Sequence, residues 1–208
     1  MFSYFPMTTL PAIPQTFHQH LPFMRPSSVG APINMRASTV NMRASVMMSS
    51  MDCILPGGYG RGAVYLGDLD AAINYQSLLA NNITAVLTVA AYTNISYTPY
   101  HGIEHMVIEA DDDPRFNLKQ YFETAINFIE KARLSGNVLI NCFAGISRSA
   151  SVLIAYLMKM ERMDLNSAFR VVKERRWKVN PNYGFVGQLE QYEKEVRGWG
   201  GWGWQTAY

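Results

Sequence analysis

Val138-Leu139-Ile140-Asn141-Cys142-Phe143-Ala144-Gly145-Ile146-Ser147-Arg148-Ser149 leads from an apolar triplet through a short loop into Ala150-Ser151-Val152-Leu153-Ile154-Ala155-Tyr156-Leu157-Met158. The triplet reads as a short buried strand. The run from Ser149 to Met160, apolar nearly all round, reads as a buried central helix. A strand that turns through a tight loop into a helix N-terminus is a ready-made anion site. Successive backbone N–H groups point into the loop, and the helix dipole adds about half a positive charge. Gly145 permits a turn that a side chain would obstruct. Arg148 brings a planar fork that can grip two oxygens of one phosphate. Cys142, at the start of the loop, gains from all of these as a thiolate, the form that attacks phosphorus. A Cys-x5-Arg spacing alone is weak, because a buried cysteine is more often a small core residue. The strand before, the glycine within, Ser149 after Arg148 and the helix beyond decide for a nucleophile. Cys53 has no such surroundings and reads as structural or incidental.

Outward from this stretch, strands and helices alternate. Ala63–Leu66, closed by Gly67, is a short strand. Leu69–Ala80 reads as one helix. Ile83–Val89 is β-branched and apolar on both faces, as in a strand covered on both sides. Ile103–Ile108 is a weaker strand. Asn117 is placed to cap a helix with Phe122, Ala125, Ile126 and Ile129 at helical spacing, and Gly136 follows as a stop. Asp164 caps a helix through Arg175, and a last helix covers about 185–196. This order predicts a single α/β domain with a mostly parallel central sheet flanked by helices.

Of 208 residues, 49% are hydrophobic and 16% charged, enough apolar side chain for a real core, which excludes wholesale disorder. A net charge of +2 is too small to argue for nucleic acid or an acidic membrane as partner. No apolar run is long enough for a transmembrane helix. Two cysteines make no disulfide framework and fit a reducing, intracellular compartment. The cytoplasm is expected, with the nucleus left open. The domain is expected over 52–196, because no Asp or Glu precedes Asp52, while 8 of the 12 Met and 6 of the 10 Pro do. Residues 1–51 read as a disordered or irregular extension. An organelle transit peptide is the lesser reading, since the prolines from Pro6 to Pro32 break the amphipathic helix it needs. Residues 197–208 form a Gly/Trp-rich tail with no helical or strand period.

Cys142–Ser151 resembles the signature loop of the protein tyrosine phosphatase superfamily. Val152–Met158 and Asn180-Pro181-Asn182-Tyr183-Gly184-Phe185-Val186-Gly187-Gln188-Leu189 are similar to the dual-specificity phosphatases in particular. Ile54-Leu55-Pro56-Gly57 and Tyr65-Leu66-Gly67 resemble the start of that domain. The resemblance covers about 52–196. It implies the fold of those enzymes and hydrolysis of phosphotyrosine and phosphoserine/phosphothreonine through a phosphocysteine intermediate, with no metal and no cofactor. It implies Cys142 as nucleophile and Arg148 as phosphate clamp, with the backbone of Phe143, Ala144, Gly145, Ile146, Ser147 and Arg148 cradling the phosphate. Ser149 resembles the hydroxyl that helps the thiolate leave, a role compatible with capping the helix. In the family the general acid lies five residues before the cap of the next helix. Counting back from Asn117 gives Asp112 within Asp111-Asp112-Asp113-Pro114, with Asp111 and Asp113 as the neighbouring registers.

The family usually carries His immediately before the nucleophile, where this chain has Asn141. Asn donates hydrogen bonds but carries no charge. The expected cost is one ordinary hydrogen bond, about 0.5–1.5 kcal/mol: an enzyme tuned differently, not a dead one. Two rivals remain open at this point. A pseudophosphatase that binds phosphoproteins without turnover is supported by Asn141 alone. A lipid, glycan or RNA 5′-phosphatase would need more cations than the signature loop supplies. Lys173, Arg175, Arg176 and Lys178 could serve a second anion, although cations at a helix end are the simpler explanation. Phosphoprotein substrates are the expected partners, with neither nucleic acid nor membrane, and a monomer is the favoured state.

Overall fold

Residues 50–97 and 102–198 are described by the structure, a computed structural model. Of the expected extension over 1–51 and tail over 197–208, residues 1–49 and 199–208 lie outside the described residues, and Arg197 and Gly198 end the last helix. The apolar triplet is the centre of β5 (Asn137–Asn141), with Val138, Leu139 and Ile140 wholly buried. Burying one such side chain contributes roughly 1.5–3 kcal/mol, so β5 takes the middle of the sheet. On one side it pairs in parallel with β2 (Val64–Gly67), which pairs antiparallel with β1 (Met51–Leu55). On the other side it pairs in parallel with β3 (Ile83–Val89), which pairs in parallel with β4 (Glu104–Ile108). The sheet is therefore mixed, in the order β1-β2-β5-β3-β4.

Side chains alternate between the faces of a strand. Ala85, Leu87, Val89, Val138 and Ile140 face the larger core, built with α3 (Phe122–Arg133), α4 (Arg148–Met160), α5 (Leu165–Arg175) and α6 (Tyr183–Gly198). Every residue of α4 from Arg148 to Met158 is buried. Val86 and Leu139 face a smaller cluster with α1 (Leu69–Ile73) and α2 (Tyr75–Ala80). No helix among the described residues is long and apolar enough to cross a membrane.

Four local expectations need correction. The helix expected over Leu69–Ala80 is two helices, because Asn74 ends α1 and its side chain accepts from the Ser77 N–H to cap α2. Asn competes for backbone hydrogen bonds in this way, which suits a cap better than a helix interior. Asn117 does not cap α3. A 3-10 turn over Lys119–Tyr121 precedes that helix, and Asn117 instead offers its carbonyl to Gln120. Ser149 does not cap α4 either; Ser147 holds the cap position, without a side-chain capping bond. Finally, Met51, read as part of the irregular extension, is buried and pairs with Gly67 as the first residue of β1. Asp164 caps α5 as expected, accepting from the Ser167 N–H.

Candidate active site

The parallel strands β5, β3 and β4 end on the same edge of the sheet, where open α/β sheets place their ligands. Residues 142–147 connect β5 to α4 at that edge. Every carbonyl from Phe143 to Ser147 is held by a donor outside the turn. Phe143 O accepts from Leu69 N–H (3.1 Å), Ile146 O from Asn180 N–H (2.9 Å) and Ser147 O from Ser151 N–H (2.9 Å). Gly145 O accepts from Arg176 Nε (3.0 Å) and Ala144 O from Arg176 Nη2 (3.5 Å). In a planar trans peptide the N–H points opposite to the C=O. Carbonyls drawn outward therefore turn the amides of Ala144, Gly145, Ile146, Ser147 and Arg148 inward, where they form a nest for an anion. Gly145 has φ +64°, and a Cβ there would lie 2.4 Å from Gly67 O. Only glycine fits that turn without displacing β2.

Cys142 sits at the foot of the nest, 1% exposed. Ser149 Oγ donates to Cys142 Sγ across 3.1 Å, so the serine, on the first turn of α4, faces the thiol. Arg148 follows the loop, and its Nη1 donates to Ala110 O at 3.1 Å. Its Nε is buried without a hydrogen-bond partner, although a carboxylate oxygen of Asp112 lies 3.5 Å away. The two groups form an ion pair but no directed hydrogen bond. The guanidinium also lies 5.3 Å from the centroid of the half-exposed Phe143 ring. Arg148 is thus held on one side and keeps donors in hand for an anion.

The loop after β4 brings one of the three consecutive aspartates to this site. Asp112 accepts from Ser147 Oγ (2.7 Å) and Asn182 Nδ2 (2.8 Å). Asp113 turns to Arg115, taking hydrogen bonds from its Nη2 (2.7 Å), Nε (3.0 Å) and backbone N–H (2.8 Å). Those side-chain and then backbone hydrogen bonds hold the Asp113 carboxyl down at about 2, which suits it to no proton-donating role. Asp111 lines an open pocket with Tyr92, Ile95 and Glu109. The expected set of Cys142, Arg148, Asp112 and Ser149 is therefore gathered around one loop. Among the described residues there is no cluster of three or more His, Cys, Asp or Glu side chains suited to a metal.

Two residues that hold the site were not assigned by the sequence reading. Arg176, 3% exposed, is no free cation for a second anion. Besides the two loop carbonyls it bonds Asp52 (2.6 Å) and Asp68 (3.4 Å). Lys178 also turns to Asp68, and Lys173 to Val179 O. Asn182 accepts from Phe185 N–H at the start of α6, donates to Asp112, and passes its backbone N–H to Ser147 Oγ. Asn182 lies within the stretch that carried the family resemblance, which was the available signal. Arg176 offered none, because the partners of its side chain all lie more than thirty residues earlier in the chain, on β1, before α1 and in the loop.

A buried thiol facing a hydroxyl, a nest of amides and an arginine with unspent donors meet at the carboxyl edge of an α/β sheet, a set chemically suited to a phosphate group. Residues 64–195 match the family model "Dual specificity phosphatase, catalytic domain", and the chain belongs to that family. It is 39% identical over 136 residues to dual specificity protein phosphatase 1B of Arabidopsis thaliana, covering 65% of this chain and 80% of that protein. The fold is similar to the crystal structure of human DUSP28, with TM-score 0.65 and 29% identity over 72% of this chain and 97% of that one. It is also similar to a mouse putative dual specificity phosphatase complexed with zinc tungstate, with TM-score 0.66 and 27% identity over 82% and 96% of the two chains.

Proposed function

We propose that this chain hydrolyses phosphotyrosine and phosphoserine/phosphothreonine in proteins through a phosphocysteine intermediate. The inward amides and Arg148 bind the oxygens of the phosphoryl group and concentrate positive potential where charge builds up in transfer. The Cys142 thiolate attacks phosphorus; an S–P bond forms and the P–O bond to the substrate side chain breaks. Asp112, protonated, gives its proton to the departing oxygen. In the second half a water attacks the phosphocysteine, Asp112 takes the water's proton, and the thiolate leaves. The Ser149 hydroxyl, donating to Sγ, stabilises that leaving anion.

The observation that carries the reading is convergence: Cys142, Arg148, Asp112 and Ser149 meet at one loop whose carbonyls are all drawn outward. The binding-only reading rested on Asn141, and that side chain is engaged with Thr88 rather than with Arg148 or Asp112. A buried thiol nucleophile also favours a reducing compartment, in keeping with a cytoplasmic role in signalling. The test is release of inorganic phosphate from phosphotyrosyl and phosphothreonyl peptides, with Cys142→Ser as the blank. Release from both by wild type and neither by the variant is expected; release from neither by wild type would leave only phosphoprotein binding.

A further inference from the structure

Behind the nucleophile, three polar side chains from three neighbouring strands line up in an otherwise apolar sheet. Asn141 on β5 and Thr88 on β3 are partners in register, and both are wholly buried. They follow Leu139 and Val86 by two residues and so share the α1–α2 face of the sheet. His105 on β4 pairs with Val86 and stands half-buried, its ring edge-on to Tyr97 with centroids 4.9 Å apart. Thr88 Oγ1 lies 2.9 Å from Asn141 Oδ1 and 2.9 Å from His105 Nε2. Asn141 Nδ2 is buried and has no hydrogen-bond partner.

Thr88 has one hydroxyl proton to give. If it goes to Asn141 Oδ1, Thr88 must accept at its other contact, so His105 Nε2 carries a hydrogen. The donors then run in one direction, from imidazole to hydroxyl to amide, and the unspent end of Asn141 is an N–H₂ group next to Cys142 in the chain. If the amide is turned over, Nδ2 donates to Thr88, Thr88 donates to His105, and a bare carbonyl oxygen takes the unpaired place. A thiolate on the following residue is favoured when the amide turns its donor end free and opposed when it turns its acceptor free. The first arrangement is the one consistent with an anionic nucleophile. Burial lowers the proton affinity of His105, so its neutral Nε2–H form can fill this role.

We infer that His105 and Thr88 are positioning residues for the nucleophile, fixing the Asn141 amide, with its donor end unspent, on the residue immediately before Cys142. The inference rests on the reading of Cys142 as the nucleophile. Two neighbouring strands then supply, through one amide, the orientation that the family's His at this position supplies directly. A chain of aligned hydrogen bonds polarises its members, so its removal weakens the last donor as well as releasing it.

The test uses the full chain and two pairs of variants. Thr88→Val removes the hydroxyl at nearly constant shape, and Thr88→Ser restores it. His105→Phe removes the ring nitrogen, and His105→Gln returns an N–H at similar reach. Two rates are read: kcat on an aryl phosphate, and alkylation of Cys142 by iodoacetamide at one fixed pH, followed on the Cys142 peptide by mass spectrometry. Thr88→Val and His105→Phe are expected to lower both about two- to tenfold with KM unchanged, the size of one ordinary hydrogen bond. Thr88→Ser and His105→Gln are expected to stay within about twofold of wild type. Wild-type rates in Thr88→Val and His105→Phe would overturn the inference, as would a fall in kcat matched by a rise in KM that Ser and Gln do not rescue. Should Thr88→Val unfold, the His105 pair, at a half-buried position, decides alone. Should wild type hydrolyse no phosphate ester, the proposed activity fails while the alkylation rates still decide the relay.

Discussion

Arg148 and Arg133 are both buried, at 7% and 4% exposure, and lie near opposite ends of β5. They spend their donors in opposite ways. Arg133, at the end of α3, gives Nε to Gly62 O (2.7 Å) and Nη1 to the Tyr156 hydroxyl (2.5 Å), with Glu161 at 3.5 Å. Tyr156 in turn bonds Glu130, which also pairs with Arg61. Burial first, then the Glu130 carboxylate, push the Tyr156 hydroxyl above its ordinary value, so it remains a protonated donor. This end of the sheet is a closed polar network. Arg148 gives one hydrogen bond to a carbonyl and keeps Nε unpartnered. The same residue type in the same degree of burial is a bolt where its donors are satisfied and a site where they are not.

The sharpest way to break this comparison is to exchange the consequences. Arg148→Ala should lower kcat about 10³–10⁵-fold, the range for an arginine that stabilises a transferring phosphoryl group, with little change in Tm. Arg133→Met should do the reverse, costing about 1.5–3 kcal/mol of stability through a lost charged hydrogen bond while kcat holds. Thermal melts and aryl phosphate kinetics on both variants decide; an active Arg148→Ala or an inactive, folded Arg133→Met would dissolve the distinction.

Asp112→Asn should slow phosphoserine peptides about 10²–10⁴-fold, and activated aryl phosphates much less, because only a poor leaving group needs the proton. Asp113→Asn should leave both unchanged, since Arg115 occupies that carboxylate. A larger effect at Asp113 or Asp111, read from the two kcat/KM values, would move the acid by one register.

Arg176 is the intermediate case, saturated like Arg133 but with loop carbonyls among its acceptors. Arg176→Met should lower both Tm and kcat, the latter about 10–10²-fold by letting the loop shift. Loss of stability alone would make Arg176 a second bolt with no part in the site.

The smallest effect concerns pH. Burial lowers the pKa of His105 in the fold from an ordinary value of 6.5. The unfolded chain therefore takes up that proton first as pH falls. The stability tied to His105 is fully present above 6.5 and is lost as pH drops through that value towards the lower folded one. Melts across that window should show a smaller decline for His105→Gln than for wild type; identical declines would mean the ring is no more buried than in the unfolded chain.

What could be read from the sequence follows from how local each feature is. Strand, loop, nucleophile and clamp are contiguous from Val138 to Ser149, so the anion site was legible before any fold. Asp112 was reached by counting from Asn117, which proves not to be a cap; the family resemblance set that register, and the structure puts this aspartate beside Ser147, Asn182 and Arg148. The break at Asn74 was hidden by apolar residues on both sides that suit one continuous helix. β1 was hidden because Met51–Leu55 is short and straddles the shift in composition at residue 52. Arg176, Asn182, Thr88 and His105 make their contacts between segments distant in the sequence, which no spacing announces.

The central claim is that turnover passes through Cys142. Rapid acid quenching of wild type mixed with an aryl phosphate, followed by mass spectrometry of the Cys142 peptide, tests it most directly. A phosphoryl group on Cys142 at early times, absent in Cys142→Ser, which also releases no phosphate, is the predicted result. Phosphate release by Cys142→Ser at a rate near that of wild type would contradict it.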